Sequence, residues 1–455
     1  MISIGAKGTC RSLCEIFAMH DDAVYRNDVA VRSNEEHATH ERAWISWLAP
    51  IGLVGLSVYN FLMRILTLGI YHFWGKTEVR KRIWSSVRIN GEPLEYTGTG
   101  RELFTGFLIV FAVFLLPVML LSFGAVFLFG PESGVLRALE ISLYVGFVFL
   151  TGIAIYRAQR YRLNRTRWRG IRAGLTGSSL SYGWTYFWTL LLMPLTLGWI
   201  GPWRATRLQR IVTNDMRYGD RAFRFSGNSG PLYKSYAVFW VLMVLIAIAI
   251  AATIYSEIGD FLVIIEAETR EDYGQLSSER VLTVIGIIYF SLLAVGMVYM
   301  VLSVWYRAAM MRHFARHTHF EGLTFHSRVK AGGLLWITFT NYLLLFVGAI
   351  VATLAIFALG VLIVWALMWV GNDPLGMNIG APPALLFQRA SGVLMFIFIL
   401  SLGLFMPITQ SRTMGYLIRN LNFDGTIEFG AITAGAAQDI KRGEGLAQAF
   451  DIDAL

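Results

Sequence analysis

His313 and His317 stand four residues apart in a stretch that reads as helix, with His319, Glu321 and His326 close by. An i, i+4 spacing puts two imidazoles on one helix face, as metal ligation requires. No His-Glu-x-x-His string surrounds them, however, and at an offset of 150 Arg167 of an earlier, similar stretch stands opposite His317. The pair therefore reads as part of a polar interfacial helix. His20, His37, His40 and the two cysteines, Cys10 and Cys14, fall in a charge-mixed N-terminal arm, where solvated side chains and two surface thiols are expected rather than a metal site or a disulfide framework. There is no Gly-rich phosphate loop, no Ser nucleophile elbow and no pair of carboxylates inside an apolar run. The expectation is a protein that is not an enzyme and holds neither cofactor nor metal.

The arginines are the other chemistry-bearing group. They cluster in basic runs of two kinds. One kind follows a Thr-Leu-Gly element, as in Arg80, Lys81 and Arg82 and in Arg204 and Arg207. The other continues directly from an apolar segment, as in Arg157 and Arg162 and in Arg307 and Arg312, which an offset of 150 aligns; an offset of 152 aligns Trp184 with Trp336 and Phe187 with Phe339. Cations beside Trp and Tyr suit the headgroup boundary, where a long stem lies along apolar surface and the charge reaches outward. Such residues attract anionic lipid at roughly 1 kcal/mol per nearby charge. Arg64 is the one charge well inside an apolar run and is expected to snorkel, while Glu140 lies near the mouth of another. These ten cations are the candidate contacts for an anionic headgroup or ligand.

What positions them is a membrane. The chain of 455 residues is 55% hydrophobic and 15% charged, with a mean hydropathy of +0.54. This composition excludes an ordinary soluble domain. A formal charge of +9 then reads as cytoplasmic loops rather than nucleic-acid binding. No cleavable signal peptide is evident in the arm. Three pairs of apolar segments follow: Leu103 to Phe129 with Leu136 to Tyr156, Tyr233 to Tyr255 with Val281 to Tyr306, and Leu334 to Val370 with Ser391 to Pro407. The loop of the second pair carries Glu257, Asp260, Glu266, Glu268, Glu271, Asp272 and Glu279 and is expected outside. The connection of the third, Gly371 to Pro383, is nearly free of charge.

Between these lies a repeated element. Thr67-Leu68-Gly69 is followed by Phe73-Trp74, a basic run and a Gly-containing turn between β-type strings; Thr196-Leu197-Gly198 is followed by Pro202-Trp203 in the same way; Ser401-Leu402-Gly403 with Pro407-Ile408 is a more worn copy. Gly69, Trp74, Pro194, Gly198, Trp203, Gly403 and Pro407 mark the turns of this element. Charge constrains it further. Arg157 to Arg172 and Arg204 to Arg224 are both strongly basic, yet only one apolar stretch, Trp184 to Trp203, separates them. Both can be cytoplasmic if that stretch enters and leaves by one face, with Pro194 and Gly198 supplying the break.

The fold expected is an all-α polytopic membrane protein of about six full transmembrane helices plus two bent or re-entrant elements, with eight plain crossings as the alternative, short cytoplasmic β-type hairpins and internal repeats. Its organisation reads as a polar arm over 1–43, repeats one and two with the first hairpin over 44–232, the remaining hairpins with the third repeat over 233–430, and a polar tail over 431–455.

The strings TLGIYHFW, RKRIWSSVRINGEPLEYTGTGRELFTGF and TFHSRVKAGGLLWITFTNYLLL resemble the YjgN-like family of bacterial inner-membrane proteins over roughly residues 45–430. The first repeat is the most specific match. The third departs from the pattern, with Ile408 in place of tryptophan and an extra apolar stretch at about Phe346 to Gly392. The resemblance implies a multi-pass protein of the inner membrane and supplies no catalytic residue.

Two function classes follow: transport or lipid and anion handling through a bundle with broken membrane elements, or a non-catalytic scaffold or partner subunit. The expected partners are membrane lipids, with anionic headgroups at the cytoplasmic face, and not nucleic acid; a protein partner or a homo-oligomer is left open. In a cysteine-free background, single cysteines at Ser178 and Asn228 are expected to be protected from an impermeant thiol reagent in intact cells while one at Gln275 reacts. Opposite accessibilities for the first two would sink the re-entrant reading.

Overall fold

The computed structural model describes residues 41–256, 259, 278–369 and 383–434. The arm with its histidines and cysteines, nearly all of the acidic loop with Gln275, the Gly371 to Pro382 connection and most of the C-terminal tail lie outside the described residues.

Five helix pairs follow one another, and each runs into short β-strands. The first pair is α1 (Leu53–Leu66) and α2 (His72–Ser85), the second α3 (Gly100–Phe129) and α4 (Gly134–Asn164), the third α5 (Ser179–Leu195) and α6 (Gly201–Asp215). The fourth is α7 (Gly230–Ser256) and α8 (Ser278–Arg316), and the fifth α9 (Ala331–Trp369) and α10 (Pro383–Arg419). Among the described residues six helices, those of pairs two, four and five, are long and apolar enough to cross a membrane. They coincide with the six segments expected from hydropathy. At about 1.5 Å per residue the long helices exceed a ~30 Å hydrocarbon core, while α1 and α5 reach only about 21 and 25 Å. In α3 the backbone widens to a π-turn over Phe111–Leu115, just ahead of Pro117, whose ring and missing N–H disfavour a regular turn there.

The strands are β1 (Glu41–Arg42), β2 (Ile45–Trp47), β3 (Val87–Ile89), β4 (Glu92–Pro93), β5 (Glu95–Tyr96), β6 (Thr166–Trp168), β7 (Ile171–Leu175), β8 (Met216–Tyr218), β9 (Arg221–Phe225), β10 (Thr318–Phe320), β11 (Leu323–Ser327), β12 (Leu421–Asp424) and β13 (Thr426–Ile427). Two-residue turns such as Asn90-Gly91, Arg169-Gly170 and Glu321-Gly322 join the hairpins, and the positive φ angles of both residues in the first two and of Glu321 in the third match the twist of a tight hairpin. These hairpins are not separate, as short isolated ones would be. They form one antiparallel sheet in the order β12-β11-β10-β9-β8-β7-β6-β5, with a second sheet, β2-β3-β4, attached through Leu94. Strand β2 comes alongside β12, so the arc returns on itself. The helices do the same: each packs chiefly on its neighbours in the chain, and α10 packs on α1. The result is a ring.

Two turns are superimposable in their bonding. Leu68 and Leu197 both sit at φ near +50° and Gly69 and Gly198 beyond +80°. Gly69 N–H donates to Arg64 O (2.8 Å) and Gly198 N–H to Met193 O (2.7 Å), while the Thr67 and Thr196 hydroxyls donate back to Met63 O and Leu192 O. A left-handed leucine costs about 1–2 kcal/mol, and both leucine side chains are exposed at the tips of their pairs. Trp74 and Trp203 lie not in these turns but in the return helices α2 and α6.

The Ser401-Leu402-Gly403 string does not turn. It lies within the continuous α10, and neither Leu402 nor Gly403 has positive φ. Gly403 instead gives room to Arg64, whose guanidinium would lie 3.1 Å from an added Cβ, and Pro407 is accommodated inside the helix. The fifth pair nevertheless keeps one contact of the short pairs. Asn60 bonds Gly75 O in the first (3.2 Å), Arg204 bonds Thr189 Oγ1 in the third (3.2 Å), and Asn341 bonds Thr409 O in the fifth (3.3 Å). The helices of the fifth pair, 39 and 37 residues, are more than twice as long as those of the first and third.

An arginine holds each junction between pairs two to five. Arg160 donates to Gly177 O, Arg210 to Gly227 O (2.7 Å) and Arg312 to Val329 O (2.6 Å), each 17 residues on and just ahead of the next helix. This sets the offset between pairs two and four at 152 throughout. Arg160, not Arg162, is the counterpart of Arg312, and His319 rather than His317 stands opposite Arg167.

Removing Arg210 leaves the Gly227 carbonyl without its cation, so Arg210→Ala is expected to cost about 1–3 kcal/mol. Arg207→Ala, on the exposed side of the same helix, is expected to stay within about 0.5 kcal/mol. Thermal stability followed by size-exclusion in detergent would separate the two.

Candidate functional site

Alternation along the strands sorts the ring into two faces. Phe223, Phe320, Phe325 and Phe423 point toward the axis and Arg167, Arg172, Arg224 and His319 away from it. On the inner face the Phe223 and Phe320 rings stack with centroids 4.4 Å apart, Phe325 meets Phe423 at 5.1 Å, and Trp168 meets Tyr218 at 5.8 Å. Ala43 and Ile427, from the β1–β13 pair, and Ile432 close this aromatic core at the hairpin-tip end. Phe429 caps it, edge-on to Trp168 at 4.8 Å.

The aromatic wall does not fill the axis. A cavity of about 190 Å³ remains, lined from nearly every strand of the ring. At one end lie Phe429 and Trp168; at the other lie Leu163, the penultimate residue of α4, and Met216, which follows α6 directly. The cavity therefore runs from the closed tip of the ring toward the helices. The surface of the cavity is apolar: Arg217 borders it, but its side chain stands on the outer face, opposite Gly174 and Ala222, exposed and bonded through Nε to Thr176 Oγ1 (3.3 Å). Tyr218 donates to Trp168 O (2.9 Å), and burial pushes its hydroxyl up to about 12, so it serves as a neutral donor.

The candidate cations do not converge on this cavity or on one another. Arg80 reaches Tyr96 OH (3.4 Å), Lys81 pairs with Glu78 (2.8 Å), Arg82 donates to Ile51 O (2.5 Å) and Arg157 to Ser179 Oγ (3.5 Å). Arg204 lies over the Tyr186 ring, Arg312 holds its junction, and Arg64 is placed between α1 and α10 rather than snorkelling from a surface. Arg162 is in the last turn of α4; Arg207 and Arg307 are exposed. Most of these groups serve the scaffold. Arg160, which does the same, was missed because nothing distinguishes it by type from the arginines around it; only its distance to the residue before the next helix marks it.

The histidines are also engaged locally. His313 Nε2 bonds Asn228 O (2.7 Å), His317 Nδ1 bonds the His313 carbonyl (2.8 Å), and His319 and His326 meet Ser226 and Asp424. Among the described residues no three His, Cys, Asp or Glu side chains come together as a metal site would need.

The family described as "Bacterial protein of unknown function (DUF898)" matches residues 52–449. The chain is 29% identical over 135 residues to a Salmonella typhimurium protein named "Inner membrane protein YjgN", and 26% identical over 171 residues to the Escherichia coli O157:H7 protein of that name. The matched stretches cover 30% and 38% of this chain and 31% and 38% of those relatives, so the chain spans about a third of their length. No solved structure matches.

Phe320→Ala is expected to cost about 3–5 kcal/mol, because it removes a ring from the middle of the aromatic wall. Arg224→Ala, on the outer face of the adjacent strand and one residue beyond Phe223, the partner of Phe320, is expected to change stability by no more than about 0.5 kcal/mol. Chemical denaturation of the purified chain in detergent would show a difference if the two faces have these roles.

Proposed function

This chain belongs to the DUF898 family and is a multi-pass protein of the inner membrane, and we propose that it handles membrane lipid, passing amphiphiles between the bilayer and the interior of its ring. One observation carries the reading: the helices form a ring rather than a solid bundle. Only 6–22% of the residues in the six apolar span windows are buried within the protein. A packed bundle would hide far more of that surface, so lipid is the natural filling on both sides of the wall.

The short pairs add to this. Strand β7 pairs with β8, so α5 and α6 begin and end at the same sheet. A single crossing between them would tear that pairing apart, which favours a pair that dips into the membrane and returns. The buried turn of such a pair needs partners for its carbonyls. Tyr236 OH donates to Gly198 O (2.6 Å) and Trp240 Nε1 to Leu197 O (2.7 Å), both from the adjoining α7. The first and third pairs are therefore read as half-membrane elements and, with the fifth, as copies of one repeat. Above each short pair the wall of long spans is interrupted, which leaves lateral openings for lipid. The arginines outside the junctions, Arg207 and Arg307 among them, would meet anionic headgroups at the rim.

Reconstitution into phosphatidylethanolamine/phosphatidylglycerol vesicles with a fluorescent phosphatidylglycerol tests the proposal. The protein is expected to bring inner-leaflet probe within reach of an added impermeant reductant while the vesicles stay sealed to a trapped dye. Reduction of the outer-leaflet probe alone, as in protein-free vesicles, would overturn lipid handling in favour of a scaffold.

A further inference from the structure

We infer that the axial cavity is a binding site for the end of one alkyl chain of a membrane amphiphile, with the chain end inside the ring and the head left outside it. The inference rests on the lipid-handling reading and names its site. The walls first decide the chemistry. The lining offers aromatic and aliphatic surface, with Phe223, Phe320 and Phe423 as its broadest faces. Water would find no partners on such a surface, and a smaller apolar cavity of about 150 Å³ already stays dry and accepts a benzene-sized molecule. At about 190 Å³ this one takes a chain end rather than a whole lipid.

The position decides the source. The tip end is blocked by the Phe429–Ile432 segment, which is tied down where Asp220 N–H donates to Thr433 O (3.1 Å) and Thr433 N–H to Asp220 Oδ1 (3.2 Å). The other end is bounded by Leu163 and Met216 at the ends of α4 and α6, on the side where the bilayer supplies chains. Arg217 directly follows Met216, but its side chain turns to the outer face with Gly174 and Ala222, so this end of the cavity carries no charge. A chain drawn in from the membrane would leave its carboxylate or phosphate head outside the ring, since an unpaired charge is costly on such a surface.

The test uses the full chain in phosphatidylethanolamine/phosphatidylglycerol vesicles and two photoreactive probes, each with a diazirine near the chain end: a fatty acid and a phosphatidylglycerol. Peptide mapping after irradiation is expected to find label on ring segments carrying Phe223, Phe320 or Phe423 as well as on the spans. Ala173, which lines the cavity, is the place to fill it. Ala173→Phe is expected to lower ring labelling about tenfold relative to span labelling. Span labelling within the same sample reports that the variant is inserted. Because Ala173→Phe could disturb the sheet, Ala173→Ile is run beside it and is expected to give a smaller loss in the same direction. Whichever probe labels the ring identifies the source of the chain. Label confined to the spans with both probes, or ring labelling unchanged by both substitutions, would overturn the site. A ring that is labelled in a protein that moves no lipid between leaflets would uphold the site and remove the transport reading instead.

Discussion

A guanidinium that reaches a backbone carbonyl seventeen residues further along the chain is what turns a string of helix pairs into a ring. Each of Arg160, Arg210 and Arg312 sits near the end of one helix and holds the residue that begins the approach to the next. The β-hairpin between them is thereby folded back against its own helix, and the following pair starts at a fixed angle. Hydrogen bonds to a charged group are worth about 1.5–3 kcal/mol, more than a neutral bond, and the fork of an arginine fixes direction as well as distance. Repeated three times, the same bond makes the same kind of junction from pair to pair. The basic character of the chain thus has two physical causes, since the charges that favour one side of a membrane also set the geometry of the ring on that side.

In the proposed reading the short pairs are half-membrane elements and answer a different problem. A polypeptide that reverses at membrane depth exposes carbonyls that no water can satisfy. In the third pair the reversal is compressed into three residues, Thr196 to Gly198: the hydroxyl bonds inside the first helix, the glycine takes a left-handed conformation, and the two outward carbonyls are met by Tyr236 and Trp240. The first pair has the same backbone. In the fifth pair Gly403 lies inside a continuous helix and has no positive φ.

How much of this is legible in the amino-acid sequence depends on the range over which each signal acts. The six long spans are local, as runs of apolar residues, and the Thr-Leu-Gly turns are local too, since their residue types are dictated by positive φ and by hydroxyl back-bonding. The ring is not. Strands of two to five residues such as β8 carry almost no periodicity, and what joins them is pairing between units that the chain separates by a whole helix pair. The axial cavity was illegible for the same reason: Trp168, Phe320 and Phe423 are ordinary aromatic residues until the sheet curls and sets them face to face. Even the correct offset between units, 152, depended on bonds that composition does not mark. Arg157 and Arg307 align attractively at 150, yet the hairpin turns Arg169-Gly170 and Glu321-Gly322 correspond only at 152.

The closure of the ring has an implication for how the molecule is made. Strand β2, at the beginning of the described chain, lies alongside β12, some 375 residues later, and β1 pairs with β13. These contacts have the greatest sequence separation among the paired strands of the described residues and form only after the last helix pair has emerged and inserted. Until then the first strand is an edge without a neighbour and the aromatic axis is open to solvent along one side, a state prone to wrong pairing. The hinge between first and last unit is also a place where the circle was cut rather than a place where it must be cut. A circularly permuted gene, opened at another junction and joined across the present ends by a linker long enough to span them, would trace the same ring with a different order of biogenesis.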